Sequence, residues 1–235
     1  MKKSHIAMLL VFFLLIPLTL YMGSRLTGQT YYLTGTLIVI ELMIPFFMAF
    51  EGRKPQAREL VVLAVMCALA IVGRVAIPIP GFKAIFAIIM LTGMAFGPEA
   101  GFIVGAIAAF ASNFFYGQGP YTPWQMMAYG AGGMLAGFFF AKGRLPKKPI
   151  PMAIFGFLAV ILWVGPLLDC STFFTAVGSY NNFHAIMGVF VAGFSVNVSQ
   201  GICTVLVMLL FGKPLLDKLD RVKLKYGMME DENGL

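Results

Sequence analysis

The sequence has few charged residues for its length. Asp, Glu, Lys and Arg make up only 11% of the 235 residues, whereas a soluble domain carries roughly 25%. Hydrophobic residues make up 60%, and they fall in long blocks of the kind that spans a membrane when a block reaches about 18 residues. The chain is therefore predicted to be an all-α integral membrane protein, and a soluble domain is excluded.

Cysteine and nucleotide-binding motifs are equally scarce. The three cysteines, Cys67, Cys170 and Cys203, show no CxxC spacing, so neither a disulfide framework nor a zinc site is indicated. The sequence has no GxxxxGK[ST] motif and no HExxH motif, which excludes nucleotide hydrolysis by a P-loop and a metalloprotease site of that type. No metal site is assigned.

Histidine occurs only at His5 and His184. Ser195 could be paired with His184 as a nucleophile, but the two residues lie on or next to one predicted helix and are 11 positions apart. That separation is about 16 Å along the axis, which is far beyond hydrogen-bond distance. The chain is therefore not predicted to be an enzyme, and no catalytic residue is assigned.

Eight apolar blocks are predicted to span the membrane, since about 20 residues cross a hydrocarbon core of about 30 Å. One block is short for a crossing and is expected to be tilted or partly re-entrant, and the last is long and is expected to be tilted. The basic loop EGRKPQAR separates an N-terminal helix pair, residues 1–52, from a six-helix unit, residues 53–235. The blocks are Ile6–Met22, Tyr31–Phe50, Glu59–Ile77, Ala84–Phe96, Gly101–Tyr116, Trp124–Ala141, Pro151–Leu168 and Ala185–Phe211.

Lysine and arginine positions set the orientation, because these residues favour the cytoplasmic side. With a cytoplasmic N-terminus, nearly all of the 17 basic residues are cytoplasmic. Only Arg25 and Lys83 fall outside, and Arg74 lies within a helix. Both termini are then cytoplasmic, in a cell-membrane protein. The net charge of +7 does not indicate a nucleic-acid partner, since the basic residues lie between apolar blocks.

Polar and aromatic side chains gather in three loops that this orientation places outside. Aromatic walls with a few directed polar groups are typical of a small-molecule pocket, and an interfacial aromatic belt is the alternative. Asn197, in a polar patch of the last helix, either lines a cavity or hydrogen-bonds a neighbouring helix. The candidate loop residues are Phe82, Lys83, Asn113, Tyr116, Gln118, Tyr121, Trp124, Gln125, Tyr180, Asn182 and His184.

Three further features lie within the apolar blocks. Ala64 and Ala68 share one helix face, and such small residues allow another helix to approach closely, either within the chain or from a partner. Glu41, in the second block, is a functional candidate because a carboxylate in a membrane is costly; it could be neutral, pair with Arg74 or have only a local role. The Gly97–Pro98 dipeptide predicts a tight turn between two short helices.

Several of these stretches resemble a known family. The Ala64/Ala68 pair, the segment FGPEAGFIVGAIAAFASNFF from Phe96 to Phe115 and the six spans with cytoplasmic ends resemble the substrate-binding S component of energy-coupling factor (ECF) vitamin transporters. The segments RKPQARELVVLAVMCALAIVGRVAIPIPGFKA, GQGPYTPWQM and FGKPLLDKLDRVKLKYG, together with the two additional N-terminal helices, resemble the cobalamin-related group of S components.

The resemblance implies the subunit of an ECF-type ABC importer that captures cobalamin or a related corrinoid at the outer face for ATP-driven uptake. It implies partners, namely a membrane coupling subunit and two cytoplasmic ATPase subunits, with the Ala64/Ala68 face against the coupling subunit. Cobalamin would be the transported ligand, and no covalently bound cofactor is expected. The alternatives are an S component for dimethylbenzimidazole or another vitamin and, from another class, a self-contained secondary transporter or channel.

Overall fold

The computed structural model describes residues 10–25, 30–52, 55–176 and 183–227, and all regular structure within them is helical. Three π-helical turns, Val11–Leu15, Val160–Val164 and Met208–Gly212, interrupt or precede the α-helices. In the numbering that follows, the first precedes α1, the second joins α7 to α8, and the third joins α9 to α10. The helices are α1 Ile16–Arg25, α2 Thr30–Gly52, α3 Ala57–Val75, α4 Ile85–Phe96, α5 Pro98–Tyr116, α6 Thr122–Phe140, α7 Pro149–Ala159, α8 Gly165–Ala176, α9 Phe183–Val207 and α10 Lys213–Tyr226.

The all-α prediction is confirmed for the described residues, and each predicted block overlaps a helix. Four segments are long and apolar enough to cross a membrane, and α4, with its 12 residues, is a shorter apolar helix. Helix α3 is not one of these segments because it carries three charged residues, Arg58, Glu59 and Arg74. The count of eight spans therefore stays a prediction. The four segments are Leu33–Gly52, Pro98–Tyr116, Pro149–Phe173 and Ile186–Tyr226.

Helix α4 lies at the centre of the fold, and all of its residues are buried. It packs against α3, α5 and α6 on one side and against α9 and α10 on the other. At 1.5 Å per residue it is only about 18 Å long. A helix enclosed by protein does not need to match the lipid thickness, since its ends meet protein groups rather than hydrocarbon. The central position therefore explains the short block.

Glycines bring α4, α5 and α6 into backbone contact. A Cβ on Gly93 would lie 2.0 Å from the carbonyl oxygen of Gly133, and one on Gly133 would lie 2.3 Å from that of Gly101. The predicted tight turn between α4 and α5 is confirmed, since Gly97 has a φ of 93° and Pro98 begins α5. These contacts pack the three helices closely against one another.

The N-terminal helix α2 packs against α5 and α6. The Phe46 ring stacks on Phe102 with centroids 4.5 Å apart, and the Trp124 indole N–H donates to the Thr36 hydroxyl at 3.4 Å. Glu41 accepts a hydrogen bond from the Thr19 hydroxyl at 2.5 Å. The alternative in which Glu41 pairs with Arg74 is therefore wrong, because the carboxylate is bonded to α1 within the N-terminal helix pair.

The last helix continues beyond its predicted end at Phe211. Helix α10 is amphipathic: Leu216 and Leu219 are buried, and the Lys223 ammonium donates to the Ala95 carbonyl at 2.6 Å, in the last turn of α4. A cation at this position is favourable because the terminal carbonyls of a helix lack intrahelical partners. The sequence prediction ended at Phe211 because the hydropathy falls there, although the helical periodicity does not.

Cysteine labelling of intact cells tests the predicted orientation. On a background with Cys67, Cys170 and Cys203 replaced by alanine, a membrane-impermeant maleimide is expected to label Gln118→Cys. Cysteines at Lys147 and Lys223 should react only after permeabilisation, since these residues lie at the end that carries the basic segments. Labelling at position 147 in intact cells would reverse the topology.

Candidate functional site

A buried arginine lies at the centre of a polar cluster, at the end of the fold formed by the loops at residues 76–84 and 117–121. Arg74, in the last turn of α3, is only 9% exposed. Its Nη1 donates to the Ser112 hydroxyl at 2.5 Å and to the Asn113 side-chain oxygen at 2.8 Å. Both acceptors belong to α5. Hydrogen bonds from a charged group are worth about 1.5–3 kcal/mol each, so Arg74 ties α3 to α5.

Asn113 extends this network from α5 to α6. The side chain is fully buried, and its amide nitrogen donates to the Thr122 hydroxyl at 3.2 Å and to the Gln125 side-chain oxygen at 2.8 Å. The Thr122 hydroxyl in turn donates to Gln118 at 3.0 Å. Since an asparagine side chain offers one acceptor oxygen and two N–H donors, Asn113 has every group bonded, and its orientation is fixed.

Aromatic rings flank the guanidinium. The Arg74 Cζ atom lies 4.9 Å from the centroid of the Tyr116 ring and 5.5 Å from that of Tyr129, both within cation–π distance. The Tyr116 hydroxyl also donates to the Arg74 carbonyl at 2.9 Å. Tyr129 is buried, whereas Tyr116 is 48% exposed. Tyr116 is therefore the member of the cluster that both contacts Arg74 and presents a face to an incoming molecule.

Lys83 brings a second positive charge to the same ring. Its Nζ lies 5.8 Å from the centroid of Tyr116 and donates to the Ile77 carbonyl. In the described part of the chain, no carboxylate forms an ion pair with Arg74 or Lys83. The cluster thus combines two cations with hydroxyl, amide and aromatic groups. We name Arg74, Lys83, Asn113, Tyr116 and Gln125 the arginine cluster.

The remaining predicted residues of these two loops mostly have structural contacts. Phe82 packs against the core. The Tyr121 hydroxyl donates to the Gly117 carbonyl at 2.6 Å, and the exposed Gln118 donates to the Phe110 carbonyl at 2.9 Å. Trp124 is only 8% exposed and lies against α2 rather than facing a cavity. The loop at residues 117–121 is therefore held in shape by its own side chains.

The third predicted loop has a different structure from the one expected. Helix α8 continues as far as Ala176, so Asp169, which lies just beyond the predicted end of its apolar block at Leu168, is helical. Its carboxylate accepts a hydrogen bond from the Asn197 amide at 2.9 Å, and both residues are buried. Asn197 thus bonds a neighbouring helix, as one of the two alternatives held. His184 is exposed at the start of α9, and Tyr180 and Asn182 lie outside the described residues.

A separate groove of about 350 Å³ lies between α7 and α9, near the basic end. All of its lining residues are apolar, so it offers no hydrogen-bonding partner to a vitamin with polar groups and does not compete with the arginine cluster as a binding site. It is lined by Ile150, Ala153, Ile154, Phe157, Leu158, Val205 and Leu209.

Sequence reasoning missed the residue at the centre of the site. Arg74 was placed within a helix, with Glu41 as its only suggested partner. Its observed partners Ser112 and Tyr129 were not proposed, and neither was Thr122, which is bonded to Asn113. The signal was present, since an ionisable residue inside a membrane helix is a functional candidate by default. The same argument was applied to Glu41, whose bond to Thr19 lies within the N-terminal helix pair.

Residues 54–217 match the family described as "ECF-type riboflavin transporter, S component". The chain belongs to this family. A UPF0397 protein from Vibrio atlanticus (strain LGP32) is 32% identical over 117 residues, which cover 46% of this chain and 64% of that protein. The chain thus matches less than two thirds of the length of this curated relative. No solved structure matches the chain.

Family membership confirms the predicted resemblance to an ECF S component, and with it a multi-pass membrane protein. The match begins after helix α2, so α1 and α2 lie outside it. The narrower resemblance to the cobalamin-related group stays a prediction, because the family description names riboflavin.

Proposed function

We propose that the chain is the substrate-binding subunit of an ECF-type ABC importer, and that it captures cobalamin or a related corrinoid at the outer face for ATP-driven uptake. The observation that supports this most is the arginine cluster: a fixed set of charged and amide groups, with the half-exposed ring of Tyr116 beside it, at the end of the fold predicted to face outward.

The arginine cluster is suited to binding because its groups are already held in place. Arg74, Asn113 and Gln125 come from α3, α5 and α6. The glycine contacts hold α5 and α6 together, and the Arg74 hydrogen bonds tie α3 to α5. A ligand that meets such pre-organised groups loses less affinity to the ordering of side chains. The Tyr116 ring supplies apolar contact, and the polar groups of the cluster that are not already bonded within it supply direction, which together are the usual composition of a small-molecule site.

A corrinoid fits this chemistry as a large amphipathic ligand, with an apolar macrocycle face and peripheral amides. Tyr116 can cover part of that face, and exposed Gln118 can both donate to and accept from an amide. Riboflavin is the second candidate, favoured by the family description, since its flat ring system can stack on Tyr116. Dimethylbenzimidazole and other vitamins remain further alternatives within the family.

The partners we propose are the ECF coupling subunit in the membrane and two cytoplasmic ATPases. Ala64 and Ala68 are exposed on α3, beside the exposed Val61 and Val65. Helix α2 packs instead on α5 and α6, so the two alanines stay accessible in the described structure. A face of small residues between valines permits the close helix contact on which packing in lipid depends.

Reconstitution tests the proposed function. The chain is co-expressed with a coupling subunit and two ATPases, and uptake of labelled cobalamin and labelled riboflavin into intact cells is compared. We expect cobalamin uptake that requires all four proteins and active ATPases. Uptake by the chain alone would favour the secondary transporter or channel, and uptake of riboflavin alone would transfer the assignment to the second candidate.

Tyr116→Ala is expected to weaken ligand binding by at least ~10-fold, which corresponds to about 1.4 kcal/mol. The substitution removes the exposed ring of the arginine cluster, and anchoring aromatics often carry such energies. Binding is measured by calorimetry on the purified protein. Phe114→Ala is the matched control, since Phe114 is a more exposed aromatic of the same helix. Equal losses in both variants would contradict a role for Tyr116 in the site.

Trp124→Ala is expected to weaken ligand binding by at least ~10-fold. Because Trp124 is buried against α2, that loss should be accompanied by a lower melting temperature of the ligand-free protein. His184→Ala is expected to leave corrinoid affinity unchanged, since an exposed residue at the start of α9 fits a polar lid contact rather than a cobalt ligand.

A further inference from the structure

We propose that Arg74 receives an anionic group of the ligand, and that the substrate is therefore a vitamin carrying a phosphate ester or a carboxylate. This inference rests on the proposed function and narrows it to a charged class of ligand. The structural basis is a buried guanidinium whose described partners are all uncharged, in a cluster that holds a second cation.

The first argument concerns charge. A buried ion is normally paired with an opposite charge, because removing it from water is costly. The described contacts of Arg74 are with Ser112, Asn113, Tyr116 and Tyr129. Of the buried acids among the described residues, Asp169 is bonded to Asn197, and Glu59 lies in the first turn of α3, at the opposite end of that helix from Arg74. The Glu41 carboxylate is bonded to Thr19. A negative charge brought by the ligand would supply the missing counter-charge.

The second argument concerns hydrogen bonds. A guanidinium carries five N–H donors in a planar arrangement that matches carboxylates and phosphates. In the described structure the side-chain hydrogen bonds of Arg74 both come from Nη1, one to Ser112 and one to Asn113. The Nε and Nη2 donors thus remain available for the bidentate contact that makes arginine a selective partner for such anions.

The third argument concerns position. Lys83 approaches the same Tyr116 ring as Arg74, so two positive charges lie on one half-exposed residue at the loop end. Like charges placed this close repel each other, and an anion between them would relieve the repulsion. The last turn of α3 also places helix carbonyls near Arg74, but the partial charge of a helix end is about half a unit and does not replace a counter-ion.

The inference separates ligands that otherwise share most of their structure. Cobalamin carries a phosphodiester in its nucleotide loop, whereas cobinamide has the same corrin ring without it. Riboflavin is uncharged, whereas its 5′-phosphate carries a phosphate monoester. Within each pair, a site built around Arg74 should prefer the phosphate-bearing member, and this preference should depend on the guanidinium.

Calorimetry of Arg74→Gln and Arg74→Lys with both pairs tests the proposal. We expect Arg74→Gln to weaken binding of the phosphate-bearing ligand by at least ~10-fold more than binding of its phosphate-free partner. Arg74→Lys keeps the charge and should lose less. Should the glutamine variant fail to fold, the lysine variant still reports the preference as a smaller ratio. Lys218→Gln is the control, since it removes an exposed positive charge in α10.

A second arm does not require the vitamin to be known. Dimethyl phosphate is titrated into the wild-type protein and the Arg74 variants at constant ionic strength, and the melting temperature is followed. We expect a saturable rise for the wild type that is absent in Arg74→Gln. If no corrinoid or flavin binds to the wild type, the proposed ligand is wrong, and this arm alone decides the anion site. Equal loss of both members of a ligand pair, or equal responses to dimethyl phosphate, would reduce Arg74 to a structural link between α3 and α5.

Discussion

Replacing Ala64 and Ala68 together by leucine is expected to abolish vitamin uptake while ligand affinity of the solitary protein stays within ~2-fold. Both alanines are exposed on α3, so the larger side chains fit the isolated chain without disturbing its core. In the transporter they would hold the coupling subunit away from α3, and helix association in lipid depends on such close contact. Uptake is measured in cells that express all four subunits, and binding is measured on the purified chain.

Two controls sharpen this experiment. Ala192→Leu adds the same side chain at an exposed position of α9, and it should leave both uptake and binding unchanged. Affinity purification of the ATPases shows whether the double variant fails to assemble or assembles without transporting. If binding and uptake decreased together, the alanine pair would belong to the internal packing of the chain, and the partner surface would have to lie elsewhere.

Gly133→Ala is expected to destabilise the protein by about 1–3 kcal/mol, the range for overpacking of a tight interior. The added Cβ would lie 2.3 Å from the Gly101 carbonyl oxygen, and a backbone atom cannot move aside as the end of a side chain can. The cost arises where α4, α5 and α6 cross, about 18 Å along α5 from Asn113, and it would loosen the packing of α5 on α6 that holds Asn113 beside Gln125. The melting temperature and the ligand affinity should therefore both fall.

Gly188→Ala is the matched control for this variant. Gly188 lies in α9, and an added Cβ there would have no atom within 4 Å. Alanine is favoured over glycine in a helix by roughly 0.5–1 kcal/mol, so this variant should be as stable as the wild type or slightly more so. If both variants lost the same stability, the loss at position 133 could not be attributed to the contact between the added Cβ and the Gly101 backbone.

Much of the fold could be predicted because hydrophobic blocks and turn residues are local signals. The helices follow from block length, and the α4–α5 turn follows from Gly97–Pro98. The continuation of α8 to Ala176 and of α10 to Tyr226 was missed because polar residues were taken as helix ends. In both cases tertiary partners compensate: Asn197 pairs with Asp169, and Ala95 accepts from Lys223.

The candidate site could be predicted only in part. Asn113, Tyr116 and Gln125 were proposed because amides and aromatics concentrate near one loop, and the structure places them together. Which of them surround Arg74 is set by the packing of α3 on α5, and no local pattern encodes that contact. Trp124 was proposed as a pocket residue but is buried against α2, a helix distant in sequence, and no local pattern encodes that contact either.

Calorimetric titration of the purified, solitary chain with cobalamin, cobinamide and riboflavin tests the central claim most directly. A substrate-capturing subunit that uses Arg74 as its anionic contact should bind cobalamin saturably, with one ligand per chain, and more tightly than either phosphate-free compound. Saturable binding of riboflavin with no response to cobalamin would contradict the corrinoid assignment. The absence of binding to every vitamin tested would contradict the claim that this chain captures the substrate.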